Sequence, residues 1–97
     1  MNKYIKRDNQ LTCILSGRID TLSSSVLENE LTEKMKEDIS SVVFDMRYVD
    51  YISSTFLRIV IKMVKALGKG NFVISNIQPT VMKVFKMANL TDIVKFE

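Results

Sequence analysis

With 97 residues, 46% of them hydrophobic and 26% charged, the chain is long enough for one core and too short for elaborate catalytic architecture. Its 14 basic and 11 acidic residues leave a charge of only +3, too shallow an excess to imply nucleic acid, and the lack of any histidine removes the commonest general base and metal ligand together. A lone cysteine, Cys13, an N-terminus MNKYIKRDNQ without an apolar signal core, and no run near the roughly 18 to 20 apolar residues of a membrane span imply a cytoplasmic protein with no membrane insertion.

The stretch YIKRDNQLTCILSG alternates apolar and polar residues on both sides of Asp8-Asn9, which predicts two short strands joined in a hairpin. Leu27, Leu31 and Met35 then recur every fourth residue, and Ser25 with Glu28 has capping-box spacing, so a first helix is expected from about Ser23 to Glu37. Val42, Val43 and Phe44 form a continuous apolar run of the kind found in a strand covered on both faces. After the hydroxyl cluster Ser53-Ser54-Thr55, apolar residues from Phe56 to Leu67 fill most of a helix circumference, while Arg58, Lys62, Lys65 and Lys69 line one side.

Gly68 and Gly70 suit the end of that helix, and NFVIS reads as a further buried strand. Pro79 fits a first helical turn, with Val81, Val84, Phe85 and Ala88 toward one side of the helix it opens. DIVKF closes the chain as a short strand. The order β-β-α-β-α-β-α-β predicts a single α/β domain over residues 1–97, with a mixed, mainly parallel sheet and right-handed crossovers.

Catalytic chemistry finds little support. Without histidine a nucleophile has only carboxylates and lysines as bases, and no G-x-S-x-G elbow is present. Asp8, Asp20, Asp38, Asp45 and Asp50 are scattered without metal-ligand spacing, and GKGN at 68–71 lacks the pattern of a phosphate loop, so neither cofactor nor metal is expected. The stripe Arg58, Lys62, Lys65, Lys69 reads as a solvated helix face, though an acidic protein or a phosphate backbone would suit it too. Met63, Met82 and Met87 read as core filling, and Cys13 as inert packing.

Ser53, Ser54 and Thr55 remain. Hydroxyl residues are favoured helix caps, which accounts for one of them. The surplus hydroxyls lie where unpaired N–H groups and the positive end of the helix dipole tolerate an anion such as phosphate.

GRID at 17–20, VVFDMRYVDYISSTFL and NIQPTVMKVFKMANLTDIVKFE together resemble, in order and over nearly the whole chain, the bacterial anti-sigma-factor antagonists built on the STAS domain. That resemblance implies a non-enzymatic regulator. When unphosphorylated it binds an anti-sigma factor that is also a serine kinase and so frees a sigma factor; phosphorylation switches it off and a phosphatase resets it. By position, Ser54 matches the phosphorylated serine and Thr55 a secondary site, while Ser53 stands where the family usually has aspartate and Phe56 where it usually has glycine.

Phe56, Leu57 and Arg58 are then expected to form the adjoining contact patch, with the Phe56 ring restricting close approach. Asp20 matches an acidic position near the modification region, and a structural role at the strand end is equally open to it. Two rivals stand beside the switch. One is a STAS interaction module that is not phosphorylated, such as a transporter accessory or stress-signalling subunit; the other is a small nucleotide-binding or hydrolytic protein.

Overall fold

A computed structural model describes residues 2–97. Strand β1 (Lys3–Arg7) turns back on β2 (Gln10–Ile19) as an antiparallel hairpin, with Asp8 in the left-handed region at φ 54°, a conformation an aspartate tolerates in a tight turn. Helix α1 (Thr21–Lys34), β3 (Ser41–Ile52), α2 (Ser54–Leu67), a short 3-10 turn at Lys69–Asn71, β4 (Phe72–Ser75), α3 (Pro79–Met87) and β5 (Lys95–Phe96) follow. From β2 to β5 the pairings are parallel, in one five-stranded sheet of order β1-β2-β3-β4-β5. The mixed, mainly parallel α/β architecture is the one expected from the sequence.

The sheet's coverage is not. Because the parallel strands advance in one direction only, right-handed crossovers put every connecting helix on the same face. Leu11, Cys13, Leu15, Val42, Phe44, Met46, Phe72 and Ile74 lie buried beneath the helices. Ring contacts show this directly. Phe56 of α2 sits 5.9 Å from Phe44, Phe85 of α3 sits 5.3 Å from Phe96, and Phe44 and Phe96 share the register of Ile74. Thr12, Ile14, Val43 and Asp45, pointing the other way, are only partly covered. The expectation that Val42, Val43 and Phe44 are enclosed on both faces is therefore corrected: Val43 lies on the open face.

Strand β3 carries two irregularities. Between the pairs Ile14–Asp45 and Ile19–Ile52, four residues of β2 run beside six of β3. These bulges lengthen the spacing of inward residues, so that Met46, Val49 and Ile52 still reach the core while Arg47, Tyr48, Asp50 and Tyr51 turn to solvent.

Smaller differences have local causes. Helix α1 begins at Thr21 rather than near Ser23, because Asp20 caps it in place of the expected Ser25–Glu28 box, and it ends at Lys34 rather than Glu37, with Met35 as its C-cap. Ser25 instead donates to the Thr21 carbonyl oxygen at 3.2 Å. Met87 is 85% exposed, not core, because it lies two residues past Phe85, on the side of α3 away from the buried Val81 and Phe85. The closing strand shrinks to Lys95–Phe96, since residues 91–93 form turns. Lys69 falls beyond the end of α2 and donates to the Asp92 carbonyl oxygen at 2.6 Å, so the basic stripe loses its last member.

Candidate functional site

Strands β2 and β3 end side by side, and each hands the chain to a helix, so the starts of α1 and α2 lie together at one edge of the sheet. A hydrogen bond from the Ser53 N–H to the Ile19 carbonyl oxygen at 3.0 Å carries the pairing one residue past β3 and fixes where α2 begins. Asp20 caps α1. Its carboxylate accepts from the Ser23 N–H at 2.9 Å, and this backbone hydrogen bond is the main cause holding the carboxyl below its usual pKa.

The three hydroxyls have separate fates. Ser53, in an extended conformation at φ −101° and ψ 168°, caps α2 by accepting from the Phe56 N–H at 3.3 Å. Its Oγ also lies 3.2 Å from Ser24 Oγ of α1, and the side chain is buried. Ser54, the first residue of the helix, is exposed. Thr55 is half-buried and its Oγ1 accepts from Arg58 Nη2 at 3.4 Å, the long limit for such a bond.

Of the expected contact patch, Arg58 and Asp20 are exposed and Leu57 is half-buried against the core. Phe56 is not at the surface. Its ring is wholly buried against Phe44, so it neither offers a contact nor obstructs approach to Ser54. Ser53, engaged inward, likewise contributes no surface of its own.

Sequence reasoning missed Ser24, the hydroxyl in the buried row Ser24, Leu27, Leu31; a polar residue on an apolar helix stripe was the available signal. It also missed the exposed Tyr48 and Tyr51, the latter with the Arg18 guanidinium 4.1 Å from its ring centroid. The steps of three in Met46, Val49 and Ile52 were the trace of the bulges that turn them out. Among residues 2–97, no three His, Cys, Asp or Glu side chains gather as a metal site, and no helix is long and apolar enough to cross a membrane.

The family profile of the STAS domain matches residues 3–97. The chain belongs to the STAS domain family. A Bordetella bronchiseptica protein named as an anti-sigma factor antagonist, BtrV, is 32% identical over 90 residues, spanning 91% of this STAS chain and 78% of that protein. Among solved structures, an anti-sigma factor antagonist from Mycobacterium paratuberculosis matches with TM-score 0.86 and 20% identity over 99% of this chain and 83% of that one. The anti-sigma factor antagonist SpoIIAA in its unphosphorylated form matches with TM-score 0.83 and 15% identity, covering 100% and 88%. Bacillus SpoIIAA in its phosphorylated form matches with TM-score 0.75 and 13% identity, covering 100% and 91%. Fold and sequence together place this STAS chain among the anti-sigma factor antagonists, a family of regulators rather than enzymes.

Proposed function

We propose that the chain is a bacterial cytoplasmic antagonist whose unphosphorylated form docks, by the start of α2, onto an anti-sigma factor with serine kinase activity, releasing a sigma factor. Ser54 is the switch. The kinase transfers the γ-phosphoryl group of ATP to Ser54 Oγ, the hydroxyl proton leaves with ADP, and a phosphatase later hydrolyses the ester. The added −1.5 to −2 charges change which partner surface can sit there.

The observation that carries this reading is the division of labour between adjacent hydroxyls: Ser53 is buried and engaged as the cap, which leaves Ser54 exposed. Capping and modification thus need not compete for one oxygen. Thr55, half-buried and bonded to Arg58, is the secondary acceptor, and Asp20, Leu57 and Arg58 belong to the surrounding docking surface. The neutral Ser53, where the family usually has an aspartate, is the one feature that favours the rival, an unphosphorylated STAS interaction module.

Intact-mass measurement after incubation with the kinase-type anti-sigma factor of the same cell and Mg-ATP decides between them. One added phosphate that disappears in Ser54→Ala is expected. No added phosphate, or phosphate unchanged by Ser54→Ala, overturns the assignment.

A further inference from the structure

Arg58 lies on the exposed side of α2, and its guanidinium is turned back along the helix to reach Thr55 Oγ1. Ser54 is the neighbour of Thr55 and precedes Arg58 by four residues, about one helical turn, the spacing at which two side chains meet on a helix surface. At 3.4 Å the bond to Thr55 is weak, so little opposes its exchange. A phosphoserine offers three acceptor oxygens and up to two negative charges to a planar guanidinium whose parallel donors match them.

The surrounding charges leave that pairing open. Glu28 of α1 shares a cleft of about 190 Å³ with Thr55 and Arg58, but its carboxylate is held by Lys62 at 2.7 Å. Asp20 is engaged with the Ser23 N–H, and Arg18 stacks on Tyr51.

We propose that Arg58 is the intramolecular clamp of phosphorylated Ser54. Modification draws the guanidinium from Thr55 to the phosphate, so one event both adds charge at the start of α2 and withdraws Arg58 from the docking surface. The unphosphorylated form presents a cation there; the phosphorylated form presents a partly neutralised pair. This rests on the reading of Ser54 as the modified residue, yet its test needs no kinase.

Phosphoserine incorporated at position 54 during translation is titrated by 31P NMR in the full chain, with Arg58 intact and in Arg58→Gln, at low and at high salt. The clamp stabilises the dianion, so the phosphate pKa is expected to rise by about 0.2–0.4 pH unit in Arg58→Gln at low salt. Arg58→Lys should fall between the two, and the difference should shrink in about 0.5 M salt. Identical titrations with and without Arg58, or a difference indifferent to salt, overturn the clamp. Failure of the kinase to modify Ser54 would overturn the proposed switch instead and leave this titration as it is.

Discussion

The starts of α1 and α2 are built to the same plan and finished differently. Each follows a strand of the same parallel pair, each has a cap oxygen accepting from the N–H three residues on, and each places an exposed hydroxyl residue, Thr21 or Ser54, at the first helical position. At α1 the cap is the exposed carboxylate of Asp20, and the adjacent Leu22 is 76% exposed. At α2 the cap is a buried neutral hydroxyl, and the ring three positions on is enclosed. A phosphate at Thr21 would face a like charge already occupying the dipole end; at Ser54 it would meet none on the cap. The cap of α2 therefore sets no like charge against a phosphate at the first helical position, whereas the cap of α1 does.

The rigidity of that platform rests on Phe56, and the largest expected effect comes from removing its ring. Phe56→Ala empties a site packed against Phe44 and should destabilise by about 3–5 kcal/mol, a large share of what a domain this size has. The comparison sets the control: Leu22→Ala in the first turn of α1 should stay within about 0.5 kcal/mol. Urea unfolding measures both. Equal costs would mean that the two helix starts are anchored alike.

Next in size is Ser53. Ser53→Ala removes the cap of α2 and strands the buried Ser24 hydroxyl, for an expected loss of about 1–2 kcal/mol in urea or thermal unfolding. Adding Ser24→Ala should recover part of that loss, because removing both partners of a buried hydrogen bond costs less than orphaning one. A double variant no more stable than Ser53→Ala would show that the two helix starts are not coupled through these hydroxyls.

How much of this was legible beforehand varied with the range of the interaction that decides it. The hairpin, α2 with its glycine stop and α3 with its opening proline depend on local backbone preferences, and the residues alone predicted them. The open face of the sheet depends on strand order, which no local pattern encodes, so Val43 was read as enclosed. Phe56 was misread for a related reason: position in a motif suggested a surface role, while its spacing to Ile59, Val60 and Met63 already put it on the buried stripe. At α1 the first carboxylate after the strand outcompeted the Ser25–Glu28 pair, since an N-cap must sit where the strand geometry ends. Which hydroxyl turns inward was not readable at all, because the Ser53–Ser24 contact joins residues 29 positions apart.

The smallest effect tests the charge that distinguishes the two caps. Asp20 has a folded-state pKa below its ordinary value, so its carboxylate contributes stability that is fully present above the unfolded pKa of about 4 and is lost as pH falls through the lower folded value. Asparagine caps a helix about as well as aspartate and carries no charge. Asp20→Asn should therefore lower the melting temperature slightly and by a constant amount at neutral pH, and the gap should close as the pH falls below about 4. Solvent and salt screen the exposed carboxylate, which keeps the gap narrow and should narrow it further at high ionic strength. Melting curves that run parallel down to acid pH would show that the cap acts through its hydrogen bond alone. The start of α1 would then differ from that of α2 in the chemistry of its cap and not in its electrostatics.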